Sequence, residues 1–416
     1  MDDAPAPRKP LFAKPLRTLA PSAGIVLMLL LAVLILREQI PWSLAEEAGD
    51  ERWQRRTLTA VTLLLWCLVP WFWWRRPRWL AVTAFVLTAG AVTWWLAWDD
   101  PRLMYPPDDY IAAPDWPGAE ESHALVLRFA GEGEPDLPKE LLELREPSSE
   151  TDAQPDAGAW RLFLEENREE ILRGWTALAE QRAWIAALAA EPRLADLTTS
   201  VGDPLPSFRQ LRPTARFMTW HARLLALDGR HDEAAAELTI LLEAAQKLMP
   251  ESRTLFRRMI AQVLQRMALA GLEAVLDSGS LSAGVNNRLV HVLESREPAT
   301  RLARDLAVGE YPASGRMIQE MGEALAPWQA VFLNTTATLN TYARICHAQG
   351  SHAADRDLAA VADASVVQEQ LKIGTYRLKN IGGRTLLQLM LPGFEKVVDY
   401  HWANEDRCIA LLERLK

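Results

Sequence analysis

Cysteine is scarce in this chain, with three in 416 residues. That is too few for a disulfide framework to carry the fold. There is no surplus of positive charge either: 45 Lys and Arg against 54 Asp and Glu leave a net charge of -9. A nucleic-acid partner is therefore not expected, since such proteins present a basic face. The seven histidines are scattered. His347 and His352 beside Cys346 come nearest to a metal cluster, but their spacing fits no zinc pattern. No Gly-x-Ser-x-Gly elbow, phosphate loop or dinucleotide fingerprint is present. Catalytic, cofactor and metal residues are accordingly left unassigned, and no cofactor is expected.

Charge is missing altogether from the stretches 19–36, 57–74 and 79–98. A helix rises about 1.5 Å per residue, so roughly 20 apolar residues cross a hydrocarbon core of about 30 Å. A soluble helix of that length normally carries a polar stripe. The three stretches read as transmembrane helices, with 1–18 a cytoplasmic tail and the lipid bilayer as the first partner. No ionisable side chain lies within any of them, which disfavours a proton or ion pathway.

What is abundant is tryptophan: 17 residues, ten of them between positions 42 and 98. The run WFWWRRPRW places Trp71, Trp73 and Trp74 at the end of one span and Trp79 at the start of the next, with Arg75, Arg76 and Arg78 between. Trp94, Trp95 and Trp98 form the matching belt on the other side. Indole rings prefer the membrane interface, and arginines hold short loops on the cytoplasmic side. Arg8, Lys9, Lys14 and Arg17 add to the same side. The bias puts the N-terminus in the cytoplasm and 99–416 outside it. Ser43 and Ala45 satisfy a cleavage pattern, but Arg37 and Glu38 separate them from the apolar run, so a cleaved leader is the lesser reading.

Residues 99–159 are rich in proline and acids and read as a partly disordered stalk. Within it, 123–130 suggests one short strand and 138–144 a short helix. From 160 onward helical periodicity dominates. Trp160, Leu164, Ile171, Trp175, Leu178, Ile185 and Leu188 give one apolar face along a single long helix. Further helices are expected after a turn near Gly229, over 252–276, and in several segments through 349. The fold class is mainly α: three spans, then an irregular bundle or short solenoid over 160–416.

Around Gly229, the small and large positions Ala222, Leu225, Ala234 and Leu238 resemble a tetratricopeptide helical hairpin. Further on, Asn380, Gly383, Arg384, Leu386 and Leu387, then Pro392 and Phe394, then Asp406, Leu411 and Leu412 form a pattern. This run resembles the tail of a group of uncharacterised Gram-negative inner-membrane proteins. The resemblance implies that location and no activity.

A periplasmic location makes a Cys346–Cys408 disulfide an option, two buried thiols being the alternative. The function these residues favour is interaction: a membrane-anchored scaffold with envelope protein partners. An envelope hydrolase, which would need a pocket with perturbed carboxylates, and a ligand sensor acting through a membrane partner are the rivals.

Overall fold

A computed structural model describes residues 103–110, 114, 116–147, 157–200, 202–324, 333–362, 386–387 and 394–416. The three charge-free stretches lie outside these residues. Among the described residues all regular structure is helical, and no strand occurs.

The chain divides into two compact units. One gathers Met1–Leu103, Gly322–Thr338 and Glu369–Met390, most of which lies outside the described residues. The other comprises Met104–Met321, Leu339–Gln368 and Leu391–Lys416. The helical unit therefore begins well before 160. It also excludes two later segments that the sequence assigned to it.

The second unit opens with a 3-10 turn at Pro107–Tyr110 and the helices α1 (Ala119–Val126) and α2 (Lys139–Leu142). Instead of a strand, residues 119–126 form a helix with Glu120 and Glu121 in its first turn, where the dipole favours acids. The apolar run there is too short for its period to separate strand from helix. The expected stalk is packed down: Val126 and Phe129 join the main core, and Leu137 and Leu141 a second cluster. The short helix expected at 138–144 is α2.

The single long helix expected from 160 is broken into α3 (Ala157–Glu166), α4 (Arg168–Ala177) and α5 (Ala179–Ala190). Asn167 departs from helical geometry at φ -107°, and its side-chain amide donates to the Phe163 carbonyl at 2.8 Å. This local bond competes with the helical ladder. The breaks let Leu164, Ile171 and Leu178 face one cluster while Trp184, Ile185 and Leu188 face another. At Gly174 the Phe217 ring lies so close that an added Cβ would sit 2.2 Å from Phe217 Cε1.

α6 (Phe208–Leu227) and α7 (His231–Leu248) form a helical hairpin. Gly229, at φ 75°, supplies the left-handed residue that ends α6. The Arg230 N–H reaches back to the Leu225 carbonyl and the Gly229 N–H to that of Ala226, a Schellman closure. Ala222, Leu225, Ala234 and Leu238 are all buried. α6 is covered on both sides: Leu211, Ala215 and Met218 face the main core, and Phe217, Trp220 and Leu224 face the cluster under α2 to α4.

α8 (Leu255–Ser278) starts on a cap, the Thr254 hydroxyl accepting from the Arg257 N–H at 3.3 Å. It runs through the main core with α6 and α7. Among the described residues, α8 is also the helix long and apolar enough, by length and composition, to cross a membrane. Here its apolar positions Leu264, Leu269 and Leu272 are buried in protein.

α9 (Ala283–Glu294), α10 (Ala299–Val308), α11 (Tyr311–Ala324), α12 (Thr335–Ala354) and α13 (Leu358–Ala362) follow. The last helix, α14 (Phe394–Leu415), closes the unit. One face of α14 puts Cys408 and Leu411 into the main core, and another puts Phe394, Val398 and Trp402 against α10 and α12.

Candidate functional site

An open cleft of about 660 Å³ lies between α3, α6, α8 and α14. That volume falls within the range of ligand pockets. Trp160 and Leu164 from α3 and Ala270 and Ala274 from α8 supply apolar wall. Leu227, at the end of α6, is 42% exposed and stands at the rim.

Arginines give the cleft its character. Arg223 lies with its guanidinium carbon 4.0 Å from the Trp160 ring centroid, a cation–π contact. One of its terminal nitrogens donates to the Ala270 carbonyl at 3.1 Å. Burial pushes the Arg223 guanidinium down from its ordinary value, with Glu146 and Glu273 acting against that shift. An arginine nevertheless stays protonated. Arg266 stands 5.2 Å from the Tyr400 ring centroid and has no carboxylate partner among the described residues. Arg407 is 3.8 Å from Glu273, near the outer limit of an ion pair.

The other charges of the cleft are neutralised outside it. Arg161 pairs with Glu165 at 2.8 Å, and Asp277 with Arg414 at 2.8 Å. Arg223, Arg266 and Arg407 line the cleft with Glu273, the one lining carboxylate that is not paired outside it. A surplus of guanidinium forks beside apolar wall suits carboxylate recognition, because each fork offers paired donors.

Two further polar arrangements lie elsewhere. His221 Nδ1 is 2.8 Å from Glu237 Oε2, and the His221 ring stacks on Trp175 at 4.0 Å. Burial raises the Glu237 carboxyl, against the pull of His221 and Arg182. Burial also raises Asp305 and Glu310. None of these carboxylates lines the cleft. The second arrangement is the turn into α8. Arg257 is fully buried there and donates to the carbonyls of Leu194, Ala195 and Leu248, with Asp196 at 3.6 Å. Burial alone would raise the Asp196 carboxyl. Arg257 and the N–H groups of Thr198 and Arg253 outweigh it and hold Asp196 below the usual range. Its partners are backbone groups and a buried ion pair, so its work is to fix the α7–α8 turn.

Cys346 and Cys408 are free, buried thiols in different surroundings. Cys408 accepts a long contact from the Gln265 amide at 3.8 Å, and burial pushes its thiol up to about 12. Cys346 lies beside Tyr342, and burial pushes its thiol up as well. Each thiol is already accommodated where it stands, and the disulfide is not formed. Among the described residues no group of three or more His, Cys, Asp or Glu is placed to hold a metal ion.

The membrane anchors Trp71, Trp73, Trp74, Arg75, Arg76, Arg78, Trp79, Trp94, Trp95 and Trp98 lie outside the described residues. So do Asn380, Gly383, Arg384 and Pro392. Leu387, Phe394 and Leu411 are buried. Asp406 receives both terminal nitrogens of Arg356, one at 3.0 Å. Arg356 is a non-glycine residue with positive φ, 59°, just after α12. Asp406 thus ties that turn to α14.

The cleft arginines escaped the sequence reading. Their signal was faint: charged positions set among the apolar residues of helices that otherwise read as core. Arg223 lies on α6 among buried apolar residues, and Arg266 and Arg407 are far apart in sequence. Comparison with known proteins adds nothing to this geometry, since no family model, no curated protein and no solved structure matches the chain.

Proposed function

We propose that this protein is a membrane-anchored helical scaffold of the bacterial cell envelope. Three spans at 19–98 hold it in the inner membrane, with the N-terminus in the cytoplasm and 99–416 in the periplasm. The helical unit holds a protein partner. The absence of charge from the three stretches and their tryptophan and arginine flanks support the anchor. The α6–α7 hairpin, with its tetratricopeptide-like small and large positions, supports the partner, since paired-helix surfaces commonly bind peptides.

The observation that carries this reading is the open cleft lined by four helices, with guanidinium donors to spare. An enzymatic site is less well supported, because the carboxylates raised by burial lie away from it. The test is a photo-crosslinking amino acid at Leu227 in whole cells, with Phe256 as the control. Both side chains are exposed and only Leu227 lines the cleft. A discrete adduct from Leu227 and none from Phe256 is the expected result. Identical bands from both positions, or none, would remove the cleft as a partner site.

A further inference from the structure

From the charge of the cleft we infer that its partner is an acidic peptide segment: an extended chain carrying Asp or Glu on both sides of one aliphatic side chain. The inference rests on the scaffold reading and adds the chemistry of the partner. Three observations combine.

First, the cleft is under-neutralised. Arg223, Arg266 and Arg407 line it with Glu273, Glu146 acts on Arg223 from outside the lining, and among the described residues the one ion pair of the three is the 3.8 Å contact of Arg407. The whole chain is acidic, at -9, so the surplus here runs against the overall charge. Second, the guanidiniums are braced. Arg223 is fixed by the Trp160 ring and the Ala270 carbonyl, and Arg266 rests over Tyr400. A pre-positioned fork loses less freedom on binding than a loose side chain does. Arginine clusters of this kind read acidic motifs. Third, the wall between the arginines is apolar. Leu164, Ala270 and Ala274, with Leu227 at the rim, seat an aliphatic side chain and no further charge. The cleft is partly open to solvent, as a bound chain segment requires, rather than closed over a small molecule.

The arrangement also sets polarity. A basic peptide would meet the guanidiniums directly, with only Glu273 and Asp277 to answer it. Like charges brought together at an interface reject the wrong partner.

The test uses the full chain in lipid nanodiscs and fluorescence anisotropy with two short labelled peptides. One carries Asp and Glu around a single Leu, and the other carries Lys in their place. The acidic peptide should bind and weaken as salt is raised, because screening acts on exposed charge. The basic one should not bind. Arg266→Glu and Arg407→Glu, at surface positions outside the packed core, should each weaken the acidic peptide by about tenfold. Arg288→Glu, whose native partner Glu243 lies away from the cleft, should leave it unchanged. Equal binding of both peptides, or acidic binding indifferent to Arg266→Glu and Arg407→Glu, would overturn the inference. Tight binding of free glutarate that displaces nothing longer would overturn it too, making the cleft a small-anion site. Should Leu227 crosslink a partner in cells while the acidic peptide fails to bind, the scaffold reading stands and the charge inference alone falls.

Discussion

α8 and the stretch 79–98 look alike by length and hydropathy, and they part company over charge. The stretch 79–98 contains no Asp, Glu, Lys or Arg. α8 carries Arg257, Arg258, Arg266, Glu273 and Asp277. Each of these has an occupation in the folded unit. Arg257 ties three backbone carbonyls and Asp196, and Arg258 donates to the Ser252 carbonyl. Arg266 and Glu273 line the cleft, and Asp277 pairs with Arg414. In hydrocarbon such groups would have no comparable partners. An apolar helix is thus assigned to a core or a bilayer by what its charged residues are given to do. A stretch with none has nothing to hold it in a protein interior except shape.

If the buried charge is what fixes α8 in the core, removing it is the largest perturbation available. Arg257→Ala strips Asp196 and three carbonyls of their donor and should destabilise the helical unit by about 3–5 kcal/mol. The measurement is urea unfolding of the full chain in detergent, followed by far-ultraviolet circular dichroism. The same pair sets the acid response. The Asp196 carboxyl is held below its unfolded value of about 3.9. Its contribution is therefore present above that value and lost as pH falls through the lower folded one. The unfolding midpoint should drop as pH falls below about 4, and Asp196→Asn should flatten that slope. An unchanged slope in Asp196→Asn would mean that other carboxylates govern it.

Removing apolar contact from the same helix should matter slightly less. Leu269 is fully buried, and Leu269→Ala should cost about 3 kcal/mol through lost burial and a cavity. Thr254→Ala, which removes the cap of α8, should cost about 1 kcal/mol. At the bottom of the series, Arg414→Ala breaks an exposed pair with Asp277 and should change stability by less than about 0.5 kcal/mol. A reversed order, with Arg414→Ala above Leu269→Ala, would undo the division between buried and surface charge.

Much of the helical unit was legible in the sequence. The α6–α7 hairpin announces itself through Gly229, the acids Asp232 and Glu233 at the start of α7 and the apolar spacing after them. α8 falls within a few residues of its expected span. Where the reading failed, local pattern was overridden by tertiary demand. The break at Asn167 keeps the apolar period intact, so periodicity alone cannot show it. The segment 103–147 looked like a stalk because prolines and acids outnumber its few core residues. Yet Val126, Phe129, Leu137 and Leu141 suffice to pin it. The cleft was invisible for a different reason. Arg223, Arg266 and Arg407 come from three helices, and only their folding together makes a site.

The contrast between α8 and the charge-free stretches has one direct test, which is topology. Alkaline phosphatase and a fluorescent protein would each be fused after Lys416 and, in a truncation, after Arg78. Active phosphatase at Lys416, with fluorescence only from the Arg78 fusion, is the predicted result. It would mean that three spans cross the membrane and that α8 remains in the helical unit outside the cytoplasm. Fluorescence at Lys416 with inactive phosphatase would place that unit in the cytoplasm and contradict the envelope scaffold.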